Sequence, residues 1–136
     1  MASLEGELAI ALRSRLATSL APLLPEFVGQ PAVFAVAPVP RGAPLPHVWL
    51  GSFEAQSAGG LNFFRWRVSF EVEVWAKAGE EGQLVEIEHA VLGILAGADL
   101  PVAGFSTVSR LAVTAWGQAL EAPQRIGRLF ECECRA

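Results

Sequence analysis

The stretch Phe64-Arg65-Trp66-Arg67-Val68-Ser69-Phe70-Glu71-Val72-Glu73-Val74 decides the fold. Its apolar residues alternate strictly with Arg65, Arg67, Ser69, Glu71 and Glu73, and a period of two belongs to a strand with one buried face. At about 3.3 Å per residue such a strand is about 36 Å long, well beyond the usual five or six residues, so one end is expected to project past the core. The outward face is polarised, with Arg65 and Arg67 toward one end and Glu71 and Glu73 toward the other. Cross-strand salt pairing and solubility account for that pattern, with subunit recognition as the competing reading. Trp75 falls on the same polar phase, where a large aromatic packs under a loop or helix or else on a partner chain.

Working outward toward the N-terminus, Glu54–Leu61 (EAQSAGGL) is small and polar with the pair Gly59-Gly60, and reads as a flexible connection from a preceding strand, His47–Phe53. Pro38, Pro40, Gly42, Pro44 and Pro46 forbid a helix and hold the chain extended as it enters that strand. Ala32–Val39, β-branched and aromatic, suits another strand, and Pro22–Pro31 an irregular connection. Residues Ser3 to about Leu20 read as a helix, with Leu4, Leu8, Leu12, Leu16 and Leu20 every fourth residue. That spacing drifts about 40° per step, so the stripe winds round the helix; a wide core face and a second face against a neighbouring chain both fit. Toward the C-terminus, Glu80–Ala96 is a second amphipathic helix, and Thr107–Trp116 and Arg125–Arg135 are two strands. Gly117–Gln124, with Gly117 and Pro123, reads as a loop too long for a two-residue turn. This order predicts an α+β fold: a mainly antiparallel sheet of four to five strands with two helices packed on it, formed as one domain by residues 1–136.

The 136 residues are 52% hydrophobic and 18% charged with a formal charge of −4, which excludes a disordered polar chain. The longest uncharged stretches, Phe27–Pro40 and Gly42–Phe53, are broken by Pro and Gly and fall short of the roughly 18 residues of a membrane span. Glu5 and Glu7 stand where a secretory signal carries Lys or Arg, and no export signal is expected. The sequence pI of 5.1 disfavours affinity for a nucleic-acid backbone. Apolar content this high in a small chain points to surface buried against other subunits.

Candidates for chemistry are few. Asp99 is the only Asp, Lys77 the only Lys, and Tyr is absent. His47, at the start of its strand, reads as an ordinary partly exposed ring, and His89 as a solvated helix residue near Glu86. Cys132 and Cys134 supply two thiols where zinc needs about four ligands, so they read as reduced, buried packing groups without metal. Gly59-Gly60 lacks the Lys-Ser/Thr of a phosphate loop. Arg65 and Arg67 flank Trp66, which faces the core, and make a weak nucleic-acid element. No catalytic set, cofactor or metal is expected.

One segment carries more than composition. Ala37-Pro38-Val39-Pro40-Arg41-Gly42-Ala43-Pro44-Leu45-Pro46-His47-Val48-Trp49-Leu50-Gly51 resembles the Pro-x-Gly-Ala-Pro-Leu-Pro-aromatic-Val-x-Leu-Gly stretch of the phage tail-completion, or tail-terminator, family, found also in gene transfer agents. The strand ending Val72-Glu73-Val74-Trp75-Ala76 and the helix Gly82–Leu95 follow in register, so the resemblance runs from about Val33 to Cys134; His47 stands where the family has a Tyr. The resemblance implies a non-enzymatic virion subunit that assembles in the bacterial cytoplasm. It would form a ring with itself, typically hexameric, that ends the tail tube and joins it to a neck adaptor or stopper. DNA would pass through an acidic lumen without specific binding, and no membrane is involved. A neck adaptor or stopper role is the alternative within the class. A ligand-binding or enzymatic domain, with an apolar pocket against Phe64, Trp66 and Phe70, is the alternative outside it. Contacts to other subunits or to the tube are expected from Gln56, Gly59, Gly60, Leu61, Phe63, Arg65, Arg67, Glu71, Glu73, Trp75 and Gln118.

Overall fold

A computed structural model describes the backbone of residues 4–35, 39–57, 66–95, 109–122 and 124–135, and their side chains except those of Leu4, Ser57, Trp66, 109–118 and 133–135. The elements run α1 (Leu4–Leu20), β1 (Glu26–Phe27), β2 (Gln30–Pro31), β3 (Val33–Phe34), β4 (His47–Ser57), β5 (Trp66–Lys77), α2 (Glu81–Leu95), β6 (Ser109–Ala122) and β7 (Arg125–Arg135). Strands β3-β4-β5-β7-β6 form one sheet in that order, antiparallel except for the β3–β4 pair, and β1–β2 is a separate small hairpin. The architecture is the α+β arrangement that the alternation and the two amphipathic helices predict.

Both helices pack on one face of the sheet. Leu8, Leu12, Leu16 and Leu20 of α1 are fully buried and meet Leu84, Ile87, Val91 and Leu95 of α2 over Val68, Phe70, Val72 and Val74 of β5 and Phe130 and Cys132 of β7. From Leu8 to Leu20 the drifting leucine stripe of α1 therefore lies on the core, while Ile10 stays 64% exposed. The phase of β5 is as expected from Val68 to Val74; the side chain of Trp66 lies outside the described residues.

Several boundaries differ from the sequence reading. The connection Pro22–Pro31 contains the β1–β2 hairpin, whose turn places Val28 and Gly29 at positive φ (54° and 77°), as a two-residue primed turn requires. The strand expected over Ala32–Val39 is Val33–Phe34 only, and it runs parallel to Val48–Trp49. A parallel neighbour needs a crossover of about a dozen residues, and the proline-rich segment supplies it. Within that segment Ala43 N–H donates to Pro40 C=O with Gly42 at φ 78°, a type II geometry.

Strand β4 does not stop at Phe53. Ser52, at φ 55°, forms a bulge in which Ser52 and Phe53 together oppose one residue of β5. The extra residue resets the alternation, so that Phe53 and Ala55 follow Val48 and Leu50 onto the core side and the Phe53 ring stacks on Phe70 at 5.2 Å. Glu54 to Ser57 thus belong to the strand, and only residues 58–61 of the expected loop fall outside the described ones. The expected loop Gly117–Gln124 is likewise corrected: β6 continues to Ala122, which pairs with Arg125, and Gln124 stands at φ 66°.

Candidate functional site

The face of the sheet away from the helices is formed by the alternate residues of β4, β5 and β7. The register places His47 beside Trp75 and Trp75 beside Gly127; Trp49 beside Glu73 and Glu73 beside Leu129; and Gly51 beside Glu71, with Glu131 beyond. Farther along, Gln56 adjoins Arg67, whose other neighbour is Arg135. At directly opposed positions among the described residues, the register sets Glu71 against Glu131 and Arg67 against Arg135.

Two tryptophans lie over glycines on this face. A Cβ added at Gly51 would collide with Cζ2 and Cη2 of Trp49, and one at Gly127 would come within 2.8 Å of Cε3 of Trp75. The missing side chains are what let the rings settle onto the sheet. Trp75, on this outer face, is only 8% exposed: its Nε1–H donates to Glu73 Oε1 at 2.8 Å, and the Arg125 guanidinium carbon stands 4.4 Å over its ring. The aromatic row continues to the sheet edge, with the His47 ring edge-on to Phe34 at 5.7 Å and Phe34 edge-on to Phe27 at 5.6 Å.

His47 is 2% exposed, in contrast to the partly solvated ring expected. Its Nδ1 lies 3.0 Å from Pro44 C=O, and a carbonyl only accepts, so the proton sits on Nδ1 and Nε2 carries the lone pair, buried without a partner. Burial pushes the imidazole below its ordinary pKa, and nearby Arg125 lowers it further, against the opposing pull of the Pro44 hydrogen bond. The ring is neutral at pH 7.

The proline-rich segment closes over this end of the outer face and leaves a cleft of about 460 Å³, with Pro40 and Leu45 on one wall and His47, Trp49, Glu73, Trp75 and Arg125 on the other. It lies on the opposite side of the sheet from Phe70, so it is not the core-side pocket of the ligand-binding alternative. Among the described residues, no three His, Cys, Asp or Glu side chains gather as a metal site, and no helix is long and apolar enough to cross a membrane.

Of the residues expected at an interface, the structure brings Glu73 to Trp75 and sets Gln56, which is exposed, beside Arg67, also exposed. Glu71 and Glu73 are half-buried. Gln118 stands in β6 opposite Leu129, not in a loop, and its side chain is outside the described residues, as are Gly59, Gly60, Leu61, Phe63 and Arg65. Sequence reasoning missed His47, Trp49 and Arg125 as cleft residues. The available signal was Trp49-Leu50-Gly51, a tryptophan two residues from a glycine on the same face of a strand.

A chain from the virion of a native gene transfer agent particle has the same fold, with a TM-score of 0.77 and 24% identity over 99% of this chain and 98% of that one. A second solved chain gives a TM-score of 0.61 at 15% identity, covering 94% of this chain and 92% of its own. No curated protein matches the sequence. The family model of tail completion protein gp17 matches residues 10–135, from the middle of α1 to the last residue of β7, and the chain belongs to that family.

Proposed function

We propose that this chain, working as a single domain over residues 1–136, is a structural subunit that ends the tail tube of a phage-like particle or gene transfer agent and joins it to the head or neck. The observation that carries the reading is the family match across residues 10–135. The likeness in fold to a chain of a gene transfer agent virion supports it. In this reading copies assemble in the bacterial cytoplasm into a ring, typically of six. The ring contacts the tube protein on one side and an adaptor or stopper on the other, and DNA passes through without sequence-specific contact. The chain catalyses no reaction and needs no cofactor.

The end of the sheet where Gln56 adjoins Arg67 lies next to the segment carrying Gly59, Gly60, Leu61, Phe63 and Arg65, and this end meets the tube or a neighbouring copy. Reversing Arg65 and Arg67 to Glu is expected to leave the fold intact and yield particles with unjoined or overlong tails in electron micrographs. Normal particle morphology from cells lacking the chain altogether would overturn the tail assignment, and normal morphology from the double reversal would remove this end of the sheet from the interface.

A further inference from the structure

Lys77 and Arg125 are directly opposed Cα partners at the end of β5 and β7. Two cations in that relation destabilise a sheet, and neither has an anionic partner among the described residues. Arg125 is held in place nonetheless. Its guanidinium stacks on Trp75, and Trp75 is fixed from below by Gly127 and from the side by Glu73. A stacked guanidinium keeps its N–H donors pre-set for a carboxylate or phosphate fork. Leu45, Ala78 and Gln124 join the two cations around an open hollow of about 450 Å³. An anion on a short aliphatic stem fits both the charge and the wall.

The same outer face offers such anions elsewhere. Glu54 is exposed on β4 and Glu71 half-buried on β5, close together across the β4 bulge, and neither has a cation among the described residues. Within one chain these cannot reach the corner: Glu71 and Lys77 are six residues apart on one strand, about 20 Å. Only a second chain brings the two patches together.

We propose that the Lys77–Arg125 corner receives the Glu54 and Glu71 carboxylates of a second copy of this chain. Each copy then carries both halves of the contact, the condition for a head-to-tail assembly. Duplex DNA fits less well, because the ring on which the guanidinium stacks is itself hydrogen-bonded to the Glu73 carboxylate and the whole chain is acidic. This contact rests on the proposal that copies self-assemble.

Sedimentation equilibrium of the full chain at low salt tests it, with wild type, Lys77→Glu/Arg125→Glu, Glu54→Lys/Glu71→Lys and the fourfold swap, each checked for folding by circular dichroism. Each double reversal is expected to weaken association about tenfold or more, and the fourfold swap to recover it. Lys77→Gln/Arg125→Gln gives a milder variant should reversal prevent folding, and it too is expected to weaken association. Wild-type association that the reversals leave unchanged, or a swap that recovers nothing, overturns the corner but not the assembly. A wild type that stays monomeric at every concentration overturns the assembly reading and the contact with it. Salt-sensitive retention of duplex DNA, lost in Lys77→Glu/Arg125→Glu while association persists, would assign the corner to phosphate instead and overturn the proposal.

Discussion

On the helix side of the sheet, Phe70 and Val72 of β5 sit across from Cys132 and Phe130 of β7, all buried. On the other side the same two strands set Glu71 against Glu131, Arg67 against Arg135 and Lys77 against Arg125. One pair of strands thus has favourable cross-strand neighbours on one face and electrostatically poor ones on the other. The helix face is closed by the chain's own leucines, and its stability comes from burial. The outer face depends on particular rather than generic packing: two tryptophans over two glycines, a proline-rich cover, and charges whose counter-charges are not opposite them. The two faces can therefore be perturbed separately.

Phe70→Ala breaks the helix face and is expected to cost the most, about 3–5 kcal/mol in denaturant melts, because it leaves a cavity between Phe53 and the helices. A loss under about 1 kcal/mol would mean that the two faces are not so divided. On the outer face, Gly127→Ala is expected to cost about 1–3 kcal/mol by forcing Trp75 off the sheet, with a red shift in tryptophan fluorescence. Gly93→Ala is the control: Gly93 is exposed in α2 with open space around its Cβ position, and the exchange should stabilise by up to about 1 kcal/mol. If both glycine exchanges behave alike, the seating of Trp75 on Gly127 is not what holds it.

The smallest effect belongs to His47. Its folded-state pKa is lowered, so between that value and the unfolded value of about 6.5 the unfolded chain binds a proton that the folded chain refuses. Stability therefore falls as pH drops through about 6.5 and levels once the folded ring also protonates. Melts of wild type and His47→Gln from pH 7.5 to 5 check this; the variant should lack that part of the slope, and parallel curves would place the ring in a wetter site than its 2% exposure describes.

The helix face was largely legible in the sequence because it depends on local period. Alternation located β5, leucine spacing located α1, and Arg125–Arg135 emerged with its observed boundaries. What failed were places where one residue shifts the phase. The bulge at Ser52 made a continuous strand look finished at Phe53, and Gly117, lying in a stretch of β6 where the register slips, looked like the start of a loop. Parallel pairing of Val33–Phe34 has no local signature, since a crossover is a long-range event. The cleft was illegible for the same reason. Trp75, Gly127 and Arg125 meet only once β5 and β7 are in register, and a lone Trp on a polar phase says nothing about the glycine it will rest on.

The register slips in β6 have a consequence for where the sheet stops. From Ser109 to Gln118 this strand takes nine steps while β7 takes six, from Arg135 to Leu129. It runs like the outside lane of a bend, covering the same arc with more paces, so the ribbon must curl. Its longest even run beside its partner is from Gln118 to Ala122. A straight strand arriving at this edge from another molecule would find about five residues in phase before the spacing fell out of time with its own. The uneven lane is a kerb: along β6, strand-to-strand addition is confined to that short run.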